Sequence, residues 1–223
     1  QKRYRVAKKS VYHFIMTVLE FLHSSKHGIE HTVTFENQRI LDEQLAKQKG
    51  VYILCMHMGN HEAMGAAMTR RITPSYVITK PVGNPGVDNW VNSLRKNNGF
   101  LNTKRQRKGD VYRQILKALK KNEIVGFVMD QARPGEKKKL FFGKPAKTNH
   151  SFAGIWQKSQ APIVLAYAIR QSPCAHKVIF EKHIPLELSE DKQTDIDKHT
   201  QVFNDELEAV IRKYPEHYFW AHN

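Results

Sequence analysis

A chain of 223 residues with 40% hydrophobic content is long enough to bury one sizeable core, so residues 1–223 are read as a single domain. No segment has the composition of a disordered tail, and no apolar run approaches the roughly 18–20 residues of a membrane span. The charge balance is basic, 36 Lys+Arg against 21 Asp+Glu for a net of +15, which favours acidic partners such as nucleic acid, an anionic membrane or an acidic protein. The excess is uneven: residues 101–150 hold 14 Lys+Arg and 4 Asp+Glu, a net of +10, whereas residues 151–223 hold 8 and 10, a net of −2. Cys55 and Cys174 form neither a disulfide framework nor a metal-binding spacing, and a reducing compartment is the default.

Residues 1–30 form a basic amphipathic helical region. Lys2, Arg3, Arg5, Lys8 and Lys9 lead into Val11, Phe14, Ile15, Val18, Leu19 and Leu22 at helical spacing. Such a helix can pack on the core or lie on an anionic membrane surface. Val33-Thr34-Phe35 predicts a short strand and Gln38 to Gln48 a helix that stops before Gly50. Val51 to Met56 is a six-residue apolar run, the pattern of a buried strand. Met58-Gly59-Asn60 turns the chain into a helix of small residues and Met from His61 to Met68.

Further on, Ser75 to Thr79 predicts a strand, Pro81 to Pro85 a turn, and Val87 to Lys96 a helix closed by Asn97-Asn98-Gly99. Asp110 to Lys121 is helical in register, and Glu123 to Met129 is a near-continuous apolar strand ending at Asp130-Gln131. A basic loop from Arg133 to Lys139 precedes Leu140-Phe141-Phe142-Gly143. Ser151 to Ser159 reads as helix, Pro162 to Arg170 and Lys177 to Lys182 as strands, and Gln193 to Lys213 as an amphipathic helix. Strands alternating with helices predict an α/β fold with a mixed, mostly parallel sheet flanked by helices.

His57 falls at the carboxyl end of a strand with Glu62 in the first turn of the next helix, where α/β folds collect ligands and catalytic groups. Imidazole is the usual general base near neutral pH, and a carboxylate can hold its tautomer. Spacing alone leaves the bland alternative open, a buried His bonded to backbone with Glu62 merely favoured at a helix start. Zinc fits poorly, because the residue after His57 is Met58 where a zinc protease has Glu, and no third ligand is near. A Cys-His protease also fits poorly, since Cys55 sits two residues before His57 in an apolar strand. The basic stretch from Lys104 to Lys147 carries no recognised nucleic-acid motif.

His57-Met58-Gly59-Asn60-His61-Glu62 matches the His-x4-Asp/Glu signature of the bacterial late acyltransferases of lipid A biosynthesis, the lauroyl/myristoyl type within the lysophospholipid acyltransferase-like superfamily. Pro81 with Asn84-Pro85 and Arg95 resembles the second block of that family, and Gly126 to Gln131 the third. Phe141 to Thr148 is similar to its Phe-Phe-Gly segment, and Tyr218 to His222 to its closing Trp-x-His block. The resemblance covers roughly Val33 to the end, in order. His61 stands where the family commonly has an aromatic, and both ends look trimmed, the N-terminal membrane anchor of the family included.

The resemblance implies a glycerolipid acyltransferase-like domain. Its reaction would move a fatty acyl chain from acyl carrier protein, or coenzyme A, to a hydroxyl of a lipid A precursor at the cytoplasmic face of the bacterial inner membrane. His57 would take the hydroxyl proton and Glu62 would orient the ring. Asn60, Arg95, Asp130 and Gln131 carry over as supporting or substrate-binding residues, and Arg133, Lys137, Lys138, Lys139 and Lys144 as contacts for the donor or the anionic membrane. No metal, no cofactor beyond the acyl thioester and no nucleic acid is implied. The alternatives are a relative that acylates a lysophospholipid, glycolipid or aminolipid, and a basic nucleic-acid or membrane-binding module in which His57 is structural.

Overall fold

The computed structural model describes residues 1–78, 83–99, 101–103, 110–131 and 135–221. Among the described residues seven strands form one sheet: β1 (Val33–Glu36), β2 (Val51–Cys55), β3 (Ser75–Ile78), β4 (Leu101–Thr103), β5 (Ile124–Val128), β8 (Ile163–Ser172) and β9 (Ala175–His183). Their order is β1-β9-β8-β2-β5-β3-β4. β8, β2, β5, β3 and β4 run parallel, while β9 pairs antiparallel with β8 and carries β1 parallel to itself. The fold is the mixed, mostly parallel α/β sheet that the sequence predicts.

β2 lies in the middle of the sheet and is buried along its whole length, which is why it is apolar without alternation. Tyr52, Leu54 and Met56 face one core, shared with α5 (Asp110–Lys120), α6 (Ser151–Ser159) and α7 (Lys192–Lys213). Val51, Ile53 and Cys55 face the other, shared with α2 (Gln38–Leu45) and α3 (His61–Arg71). The small residues Ala63, Ala66 and Ala67 bring α3 close to the sheet.

Two regions matter for the site, one a departure from the sequence reading and one where that reading left two arrangements open. The stretch read as a basic loop and a Phe-Phe-Gly segment contains a separate hairpin, β6 (Lys138–Phe141) and β7 (Lys144–Lys147). Phe142 and Gly143 form its two-residue turn, both at positive φ (52° and 72°), as such turns require. Gln201 of α7 holds Leu140 through both its backbone N–H and its carbonyl, each at 2.9 Å. Lysines and a proline hid these strands, because neither residue type signals β structure. β4, with three residues, is too short to carry a periodic signal.

The second region is α1 (Lys2–His27). It packs inward through Ser10, Thr17, Glu20, Phe21 and Ser24, all buried. Its apolar stripe points out: Val11 is 51% exposed, Ile15 49%, Val18 40% and Leu19 53%. The helix is inside out relative to a core-packed amphipathic helix. Among the described residues no helix is long and apolar enough to cross a membrane.

Candidate active site

The site follows from strand register. Cys55 of β2 is paired with Val128 of β5, and Met129 N–H donates to the Cys55 carbonyl at 3.0 Å. Two residues past that pair on each strand come His57 and Asp130. The Asp130 carboxylate takes His57 twice: Oδ2 accepts the backbone N–H at 3.0 Å, and Oδ1 lies 2.8 Å from ring Nδ1. The Asp130 side chain is fully buried and the His57 ring is 26% exposed. The buried Tyr218 hydroxyl is hydrogen-bonded to the same carboxylate, and burial followed by the Asp130 charge drives its pKa far up, so it stays protonated.

The turn after His57 is gripped from three sides. Gly59 adopts φ +52°, and a Cβ there would lie 2.2 Å from the Ala168 carbonyl of β8, so only glycine fits. The chain near its end runs back over the turn. Gly59 N–H donates to the His217 carbonyl at 2.9 Å, Phe219 N–H donates to the His57 carbonyl at 3.1 Å, and Met58 is bridged to Tyr218. From α1, Thr17 Oγ1 lies 2.9 Å from the Gly59 carbonyl. A cleft beside His57 is lined by Phe14, Thr17, His61, His217 and Phe219. A second, of about 30 Å³, lies beside Asp130 against Phe141, Lys147 and Thr148.

Asn60 is the N-cap of α3, its Oδ1 accepting Ala63 N–H at 2.9 Å. In the first turn of α3, the buried Glu62 meets Arg95, from the last turn of α4 (Pro85–Asn97). Arg95 Nε lies 3.2 Å from both carboxylate oxygens and Nη2 2.5 Å from Oε1, a two-nitrogen grip on a carboxylate. Burial pushes the Glu62 pKa up, but Arg95 outweighs it and holds the group below its usual range. Glu62 is therefore anionic at neutral pH. His61, its ring 4.9 Å from that of His57, is lowered to about 4 by burial and then by His57, so it is neutral at pH 7. Burial drives the Cys55 thiol far up, away from any thiolate chemistry.

Glu62, expected to hold the His57 ring, takes Arg95 instead, and the carboxylate on Nδ1 belongs to Asp130. Gln131 is exposed beside it. Lys137 and Lys139 reach Asp197 of α7 at 3.7 and 3.3 Å, while Lys138 and Lys144 are exposed on the hairpin. Pro81, Arg133, His222 and residues 104–109 lie outside the described residues. The sequence reading missed Tyr218 as a partner of Asp130; its place in the closing aromatic block was the available signal. It also missed Glu20, whose position in an amphipathic stripe disguised it.

In an α/β sheet the ends of the strands are where ligands commonly gather, and His57, held by the buried Asp130 carboxylate, stands at the end of the central strand. The family model for bacterial lipid A biosynthesis acyltransferases matches residues 1–223. The chain belongs to that family and is an acyltransferase of lipid A biosynthesis, a membership that implies an acyl donor and a lipid A precursor as acceptor. None of the curated proteins compared with the chain matches it.

Proposed function

We propose that this acyltransferase moves a fatty acyl chain from the thioester of acyl carrier protein to a hydroxyl of a lipid A precursor, with His57 as general base. A carboxylate on Nδ1 fixes the ring proton there and leaves the lone pair on Nε2. Nε2 takes the proton of the lipid hydroxyl as its oxygen attacks the thioester carbon. The C–O bond forms, the C–S bond breaks, and the proton passes to the departing thiolate. No enzyme nucleophile is needed. Asp130 stabilises the imidazolium, and the Glu62–Arg95 pair presents a fixed guanidinium to a lipid phosphate or to the developing oxyanion.

The observation that carries this reading is the His57–Asp130 pair at the end of the central strand, in a chain of this family. Two further features support the partners. A small acidic protein such as acyl carrier protein suits an extended basic surface, and residues 101–150 carry a net of +10. The exposed apolar stripe of α1, behind a lead of Lys2, Arg3, Arg5, Lys8 and Lys9, suits the anionic cytoplasmic face of the inner membrane.

The test compares the parent enzyme with His57→Ala, each given acyl carrier protein loaded with mixed chains together with a lipid A precursor and a lysophospholipid, with products read by mass spectrometry. Transfer should stop in the variant while its thermal midpoint stays put. Near-normal turnover by the variant sinks the mechanism, and an ester made by the parent on the lysophospholipid instead of the precursor moves the acceptor assignment.

A further inference from the structure

Acyl transfer at His57 leaves one buried ionic cluster without a role. Glu20, on the inward stripe of α1, is buried behind the His57 turn. Its Oε1 accepts from the Arg170 guanidinium and from the Cys174 backbone N–H at 3.1 Å. Its Oε2 accepts from Asn60 Nδ2 at 2.7 Å, with His176 Nε2 3.2 Å away. Burial opposes ionisation, but His176 and Arg170 outweigh it and hold the group at about 2.

Anchoring a helix does not require this. A buried ion pair contributes little to stability over apolar packing, yet leaves an uncompensated charge when one partner is removed. What it supplies here is direction. Asn60 has one acceptor and one donor end, and both are committed. Oδ1 caps Ala63 N–H and Nδ2 meets Glu20. A pure acceptor at Glu20 is what forces the amide to point its oxygen at the helix. Thr17, one turn earlier on the same stripe, contacts the Gly59 carbonyl. Gly59 and Asn60 are two of the four residues between His57 and Glu62, so α1 holds the segment that spaces the two.

We infer that Glu20 is a positioning residue for acyl transfer. Through Asn60 it fixes the first turn of α3, and with it the placement of the Glu62–Arg95 pair relative to His57. The inward stripe of α1 is thereby part of the active-site scaffold. This inference rests on His57 being the base.

The partners can be exchanged to test it. In Glu20→Gln, the amide oxygen stays with its stronger donors, the cationic Arg170 and the Cys174 N–H, so its nitrogen either meets Asn60 Nδ2, donor against donor, or forces Asn60 to flip and uncap α3. In Asn60→Asp, two buried carboxylates face each other. In the double variant the roles swap: the amide at position 20 donates to a carboxylate at position 60, which still caps Ala63 N–H. Its oxygen still accepts from Arg170 and Cys174.

With acyl carrier protein thioester and a lipid A precursor, assayed well below the lowest thermal midpoint of the set, each single variant should lose about 10- to 100-fold in kcat, since small misplacements remote from the chemistry cost this much. KM should stay within about twofold, and the double variant should recover to within about threefold of the parent. A Glu20→Gln enzyme with parental kcat, or a double variant no faster than its slower single, overturns the inference. If Glu20→Gln fails to fold, Asn60→Ser keeps a helix cap while dropping the link to Glu20; parental kcat in folded Asn60→Ser overturns it equally. His57→Ala run alongside separates the failures. Turnover by that variant removes the base assignment and this inference together, whereas a dead His57→Ala beside a fully active Glu20→Gln removes only the role of Glu20.

Discussion

Asp130→Asn keeps the size of the side chain and changes only what it can accept. The carboxylate takes the His57 backbone N–H at 3.0 Å with one oxygen and faces ring Nδ1 at 2.8 Å with the other. An amide offers one acceptor and one donor. If its oxygen meets the ring, its NH₂ points at the backbone N–H. If its NH₂ meets the ring, Nδ1 must carry the lone pair and Nε2 the proton, which is the tautomer that cannot act as base. The negative charge that stabilises imidazolium is lost in both cases. The corresponding change in a serine-protease triad lowers kcat about 10,000-fold. The ring of His57 is partly solvated at 26% exposure, which softens the loss, so we expect about 1,000- to 10,000-fold, or about 4–5.5 kcal/mol of barrier. KM should move little. The assay is single-product mass spectrometry of lipid acylation over a pH series, with thermal melts as the control. If Asp130→Asn stays within about tenfold of the parent while Glu62→Gln loses about 1,000-fold, Glu62 holds the ring in the working enzyme and the assignment made from register is wrong.

Two other expectations follow from surface charge and buried imidazoles. Lys138→Glu with Lys144→Glu, on the exposed edge of the hairpin, should raise KM for acyl carrier protein severalfold at low salt and much less at about 0.5 M, since exposed charges act within a Debye length; a salt-independent KM in both parent and variant assigns the lysines elsewhere. His13, His61 and His217 are each lowered to about 4, chiefly by burial, so between pH 6.5 and 4 the unfolded chain binds more protons than the folded one. Stability is then full above 6.5 and falls as pH drops toward 4, with up to three protons taken up; a flat unfolding free energy across that window, measured by urea titration, refutes it.

Much of this site was legible one strand end at a time. The Val51–Met56 run marks a strand buried on both faces, and the Met58-Gly59-Asn60 break marks its exit into a helix. Asp130 could be seen as a polar residue just past another apolar strand. The pairing of the two could not be seen, because it depends on β2 and β5 being neighbours in register, a property of the sheet as a whole. Local proximity instead favoured Glu62, five residues from His57. Its true partner, Arg95, sits on a helix where an arginine ordinarily faces solvent. The β6–β7 hairpin was hidden for the opposite reason: its strands are specified by the Phe142-Gly143 turn and by Gln201 of α7, not by their own composition.

α1 joins these threads. An apolar stripe at helical spacing normally marks the inward face, yet here the inward face is Ser10, Thr17, Glu20 and Ser24, with Phe21 as its buried aromatic. Each polar residue has a structural counterpart: Ser10 the Tyr218 carbonyl, Thr17 the Gly59 carbonyl, Glu20 the α3 cap through Asn60, Ser24 the Asn98 amide at the end of α4 at 2.7 Å. A turn that must leave backbone carbonyls and a cap exposed at the sheet end needs a polar cover, because unpaired buried groups there would be costly. The helix that supplies it has its apolar residues left over on the outside. The proposed membrane face accounts for that remainder, since Val11, Ile15, Val18 and Leu19 gain about 25 cal/mol for each Å² taken out of water. The same helix would then meet the lipid on one side and hold the catalytic turn on the other, which sets the lipid hydroxyl and the base on a common frame.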